Sequence, residues 1–184
     1  MSRIANRVIK VPEEVLVFKD NSDGSDCLYF SGPKGKSNKL FISPGVEVSQ
    51  RDNELFTIAT SIKDIPLAGT YNSILKGLIL GVLVGYQQKM EIRGVGYKVE
   101  LKNSSLVMNI GKSHSVSLLI PKELEVTTSG SKKEVLIKGI DKQEVSSFAA
   151  QIRAVKKPSA YHDKGVFYFE EKTKLKPTKS VSKK

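Results

Sequence analysis

The sequence predicts an α+β fold: two tandem similar modules, each an antiparallel sheet with a packed helix, followed by a basic C-terminal tail. Three observations predict it. Short apolar runs with two-residue alternation fill residues 10–60, give way to a helical period, and then the same order repeats. The triplet Gly-Lys-Ser stands at Gly35–Ser37 and again at Gly111–Ser113, a shift of 76 residues. Residues 151–184 carry ten lysines and arginines against three acids, which is +7 of the net +11. The expected boundaries are 1–84 for the first module, 85–170 for the second and 171–184 for the tail.

In the first module Val15–Phe18 and Cys27–Phe30 flank the turn-rich Asp20-Asn-Ser-Asp-Gly24, which signals a hairpin. Lys39–Ile42, Val46–Val48 and Leu55–Ile58 follow as short strands. From Leu67 to Leu80 the spacing of Leu67, Tyr71, Ile74, Leu75 and Leu78 is helical, and Gly81 and Gly85 fall where the helix would end.

The second module opens with strands at Lys89–Ile92 and Tyr97–Leu101 around Arg93-Gly-Val-Gly96. Leu106–Ile110, Val116–Ile120, Leu124–Val126 and Val135–Ile137 continue the series. A helix starts at Asp141, where Asp141-Lys-Gln-Glu144 has capping-box spacing, and Phe148, Ile152 and Val155 give it an apolar stripe. Overlaid, Phe41-Ile42 meets Leu119-Ile120, Val46–Val48 meets Leu124–Val126, and Glu54–Ile58 meets Glu134–Lys138. The shift drifts from 76 to 80, as loop insertions do to an old duplication.

Composition narrows the function. With 39% hydrophobic and 27% charged residues the chain can build a packed core, and a charge of +11 points to a polyanion partner. One cysteine, Cys27, rules out an intramolecular disulfide and a thiolate zinc site, and His114 and His162 are far apart in sequence. No metal or other cofactor is expected. MSRIANRVIK lacks an apolar core, so it is not a secretory signal. The apolar run Gly77–Tyr86 is short of the ~20 residues a bilayer span needs, and it reads as a buried core helix with no membrane partner.

Gly-Lys-Ser also ends a phosphate-binding loop. That loop requires a glycine five residues before its Gly-Lys, after a strand and opening a helix. Phe30 and Leu106 stand at the required glycine, and alternating strand sequence follows both triplets. Both are read as the same β-turn in two copies. No nucleophile with a nearby base and no paired carboxylates appear, so the chain is not expected to be an enzyme.

The basic residues of 151–184 interleave with Tyr161, His162, Phe167, Tyr168 and Phe169. Cations neutralise phosphates and aromatics stack on unpaired bases. Val166–Phe169 is expected as an edge strand with Phe167 and Phe169 toward the core, and Lys172–Lys179 as a tail that orders on a polyanion. Arg3, Arg7 and Lys10 add charge at the N-terminus, and Arg93-Gly-Val-Gly-Tyr-Lys98 places two cations beside a glycine turn.

Met1–Ile4, Ile9–Pro12, Ser31–Gly35, Gly69-Thr70, Glu91–Lys98, Lys138–Lys142, Ala149-Ala150 and Ile152–Ala154, in that order, resemble the family of the sixth protein of the large ribosomal subunit, bacterial type. The resemblance covers nearly the whole chain. Near the C-terminus the family reads Pro-Glu-Pro-Tyr-Lys-Gly-Lys-Gly-hydrophobic; here Pro158, Tyr161, Lys164, Gly165 and Val166 match, while Ser159, Ala160, His162 and Asp163 depart. Asp163 brings a negative charge to a place where RNA contact is expected.

The resemblance implies a structural, non-catalytic protein that binds large-subunit rRNA through its second module. The site implied is near the stalk base and factor-binding region, beside the sarcin–ricin loop. Neighbouring large-subunit proteins and translation factors would be close. The compartment implied is the ribosome of a plastid, a mitochondrion or the bacterial cytoplasm, and the family-like start argues against a long presequence. The expected rRNA contacts are Lys156, Lys157, Tyr161, Lys164, Lys172 and Lys174, with Arg3, Arg93 and Lys98 behind them. The rivals are a free regulatory RNA-binding protein and an NTPase.

Overall fold

The computed structural model describes residues 7–22 and 25–177. Arg3, the hairpin tip Asp23-Gly24 and the lysines beyond 177 lie outside the described residues. The chain divides into two compact units, one of residues 1–86 with 140–142, the other of residues 87–139 with 143–184.

In the first unit β1 (Ile9–Lys10), β7 (Glu54–Ala59) and β6 (Val46–Arg51) form one sheet in the order β1-β7-β6, antiparallel throughout. A second sheet joins β2 (Leu16–Ser22), β3 (Ser25–Gly32) and β4 (Gly35–Lys36), with β5 (Leu40–Phe41) also paired to β3. The β2–β3 register runs to Ser22 opposite Ser25, the hairpin that the turn-rich run predicts. A short 3-10 turn (Ile62–Asp64) leads into α1 (Ile65–Leu83), with Pro66 in its first turn, where a missing N–H costs nothing. Phe30, Leu55, Leu75 and Val82 are at the centre of the core, and Cys27 on β3 is buried there too.

The second unit has the same connectivity. Its first sheet is β12 (Leu124–Thr128), β13 (Glu134–Gly139), β8 (Tyr86–Arg93) and β14 (Gly165–Tyr168) in that order, so β8 stands to β13 and β12 as β1 stands to β7 and β6. The other sheet is β11 (Val116–Leu119), β10 (Ser105–Asn109) and β9 (Lys98–Lys102), both pairings antiparallel. α2 (Lys142–Val155) begins directly after Asp141 and buries Val145, Phe148, Ala149 and Ile152. β14 is the extra strand, at the edge, antiparallel to β8.

Three expectations are corrected. α1 does not end at Gly81 but runs on to Leu83, and Gly85 at φ +81° ends it. Gly81 is an interior packing position: a Cβ there would collide with the Ile140 carbonyl. The first Gly-Lys-Ser is not a turn, because Gly35-Lys36 is β4 and the turn precedes it at Pro33-Lys34; the second lies in the bend between β10 and β11. Gly35 and Gly111 nonetheless share positive φ, +132° and +70°, and a strand, not a helix, follows each. Finally, Phe167 is buried but Phe169 is exposed, its ring covered by the Lys89 ammonium at 4.2 Å.

One buried polar group organises the first unit. Asn72 on α1 donates from Nδ2 to the Arg7 carbonyl at 2.6 Å and to Thr57 Oγ1 at 3.2 Å. A buried amide needs such partners, and these tie the N-terminal segment to the helix and to β7.

Candidate nucleic-acid interface

The basic end of the second unit is built from the 156–164 loop after α2, strand β14 and the segment 169–177. Gly165 joins loop to strand at φ +139°, and a Cβ there would come within 3.0 Å of the Lys157 carbonyl and the Pro158 backbone. Only glycine admits that approach. The Val166 N–H donates to the Lys156 carbonyl at 3.0 Å, so loop and strand are fastened at their start.

The C-terminal segment is fastened as well. The Arg153 guanidinium grips the Glu171 carboxylate through two bonds of 2.7 Å, and the same carboxylate accepts the Tyr168 N–H at 3.1 Å. The guanidinium lies 4.8 Å from the Tyr168 ring centre. Farther on, the Lys176 N–H donates to the Ala160 carbonyl at 2.8 Å. The sequence reading treats everything from 171 as a separate tail; its first residues are held on the unit.

Between these segments lies a concavity of about 500 Å³ whose walls include Ala150, Ala154, Pro158 and Tyr168 together with Lys157 and Lys174. The fold thus brings two of the expected contacts to one hollow. Lys157, Lys164, Lys172 and Lys174 are exposed, and among the described residues none has a carboxylate partner. Tyr161 is 53% exposed and able to stack. Lys98 is exposed at the start of β9.

Two expected contacts have partners inside the unit. The Lys156 ammonium donates to the Ile110 carbonyl at 3.1 Å and lies 5.0 Å from the Tyr97 ring centre. Arg93 bonds Glu91 at 2.9 Å and Asp163 at 3.1 Å and lies over the Phe167 ring. The hydrogen bond to Glu91, then that to Asp163, raise its pKa further, so it is a permanent cation already neutralised. Asp163, one of the departures from the family pattern, thus sets its charge against Arg93. His162 is exposed, and its carbonyl accepts the Lys164 N–H at 2.8 Å. Arg3 lies outside the described residues.

Gly94 of the Arg93-Gly-Val-Gly96 turn and Gly111 seat Tyr97. A Cβ on Gly94 would run into its ring, and one on Gly111 would come within 3.0 Å. Val95 is left 93% exposed at the tip. Sequence reasoning missed the Arg153–Glu171 grip, which no spacing marks, and the hold of the Lys176 N–H on the Ala160 carbonyl.

Comparison with known proteins gives a consistent set of relatives. A family model described as "Ribosomal protein L6" matches residues 93–169. The large ribosomal subunit protein uL6 of Mycoplasmopsis synoviae is 41% identical over the whole of both chains. The uL6 protein of Lactobacillus delbrueckii subsp. bulgaricus is 38% identical over 98% of this chain and 99% of its own, and that of Metamycoplasma arthritidis 37% identical over the whole of both.

Proposed function

The chain belongs to the ribosomal protein L6 family, a structural and non-enzymatic component of the large ribosomal subunit, and from that premise we propose that it binds large-subunit rRNA through its second unit. The observation that carries this reading is the set of exposed lysines without carboxylate partners, Lys157 and Lys174 at one hollow and Lys164 and Lys172 on the neighbouring segments, with Tyr161 exposed in the same loop. Free lysines release counterions from a phosphate backbone, and the ring of Tyr161 offers a stacking surface. Lys156 and Arg93 act one step back in this reading. They hold Tyr97 and the β14 lead-in in place rather than meeting phosphate. Lys98, and Arg3 from outside the described residues, are secondary contacts. The place in the particle is near the stalk base and factor-binding region, with other large-subunit proteins and translation factors close by. Because the relatives named above are bacterial, the compartment is the bacterial cytoplasm.

Sedimentation of a lysate at high salt tests the ribosomal reading. Protein tracking the large-subunit peak in fixed proportion supports it; protein at the top of the gradient favours a free RNA-binding regulator. Titration of isolated protein on rRNA tests the interface. Neutralising about six phosphates predicts a loss of roughly 10³-fold in affinity between 50 and 200 mM salt on the duplex rule. Lys157→Ala should lower the salt slope by about 1. A slope unmoved by Lys157→Ala and Lys174→Ala together would remove the hollow from the interface.

A further inference from the structure

We propose that the first unit carries a docking groove for an acidic amphipathic helix of a neighbouring large-subunit protein, an inference that rests on the ribosomal reading above. The groove lies between the chain at Arg7–Lys10 and the C-terminal half of α1 and has a volume of about 490 Å³. Its walls divide by chemistry. Val8, Pro12, Leu80 and Leu83 supply apolar surface, while Arg7, Lys10 and Lys76 supply three cations, and no carboxylate lines it. Among the described residues none of the three cations has an ion pair. Glu54 is opposite Lys10 in the β1–β7 register without pairing to it. Elsewhere in the unit Lys19 and Lys39 are matched to Asp26 and Asp20.

The apolar character continues along α1 past the groove. Lys76 is the helix's one charged residue, and Leu67, Ile74, Leu80 and Val84 are all exposed on or just beyond it. A helix packed on one side normally turns charged residues to water on the other. The stretch Ile62–Leu83 is long and apolar enough to cross a membrane, yet close to half of it is buried in the unit. Its outer face therefore has the composition of a covered surface.

The charges select the occupant. An RNA backbone would satisfy Arg7, Lys10 and Lys76 and leave the apolar wall wet. A helix with a leucine-type stripe flanked by carboxylates meets both halves of the groove. From Ser73 to Leu83 α1 spans about 15 Å, matching roughly three turns of such a partner. Residues 1–6 carry Arg3 and no acid, so their charge repeats that of the rim rather than complementing it.

The test places a photo-crosslinking residue at the exposed position Leu80 of the full chain in growing cells. Large subunits are then purified and the adduct is identified by mass spectrometry. The expected adduct is a peptide with acid-flanked apolar residues at helical spacing, its yield falling about ten-fold when Lys76→Glu is added while cosedimentation is unchanged. Ten-fold corresponds to about 1.4 kcal/mol. An adduct to an RNA nucleotide, an adduct to a peptide lacking that pattern, a yield indifferent to Lys76→Glu, or no adduct in subunits that contain the protein would each overturn the groove. Protein absent from the subunits would overturn the ribosomal reading and this inference with it.

Discussion

α1 and α2 follow the same strands in the two copies of one topology, yet they are different helices. α2 buries Val145, Phe148, Ala149 and Ile152 and carries Glu144 in its first turn and Arg153 in its last. α1 also buries one face, Ala68, Asn72, Leu75, Ile79 and Val82, but has no acidic or basic residue in its terminal turns and exposes leucines, isoleucine and valine. The inner face of each helix is what the sheet requires. The outer face is free of that requirement, so after duplication each copy could take a different external chemistry, apolar around a single lysine in α1 and polar, rich in serine and glutamine, in α2.

The comparison breaks most visibly at the shared inner faces. Phe148→Ala should cost the second unit about 3–5 kcal/mol, and Leu75→Ala should cost the first about 2–5 kcal/mol. Urea unfolding followed by hydrogen exchange in each unit checks both. A small effect in one copy alone would mean that the inner faces have diverged as well. Gly165→Ala comes next, at about 1–3 kcal/mol, because the new Cβ meets backbone and the φ suits glycine. It should weaken rRNA binding by displacing Lys157, whereas a backbone clash within the first unit should leave rRNA binding intact. Gly81→Ala, which meets the Ile140 carbonyl, supplies that clash.

Glu171→Gln is a milder change. The Arg153–Glu171 pair is partly buried, with side chains 29% and 25% exposed, and its loss should cost about 1 kcal/mol by thermal shift. Protease cleavage within residues 172–177 should rise more than that figure suggests, since the same carboxylate also accepts the Tyr168 N–H. The smallest effect is at Glu100 on β9. Its hydrogen bond to Lys132, and then the charge attraction, hold its carboxyl below the usual glutamate range. A depressed folded pKa means that the contribution is present above the unfolded pKa and is lost as pH falls through the folded one. Lys132→Met should therefore flatten the acid limb of the stability profile slightly, read from urea midpoints between neutral and acid pH.

The repeat is legible because β-strand alternation and helix period are local signals, and they pair β6 with β12 and β7 with β13 from the sequence alone. Two-residue strands such as Ile9–Lys10 and Gly35-Lys36 carry no alternation and were invisible. Gly81 misled because a glycine needed for close packing and one needed to end a helix look alike in sequence. Lysine-rich composition marked the region of the proposed interface. It did not separate free cations from engaged ones, because Arg93 meets Asp163 across 70 residues and Lys156 meets Ile110 across 46. Such long-range pairings have no sequence period.

Cys27 gives the two-copy design a practical consequence. It is the chain's single thiol, 1% exposed on β3, and the corresponding strand of the second copy, β10, has no cysteine. A thiol reagent therefore reads transient openings of the first unit alone, and openings confined to the second leave it silent. Labelling rate against denaturant would time how often the first copy breathes, within an unmodified chain.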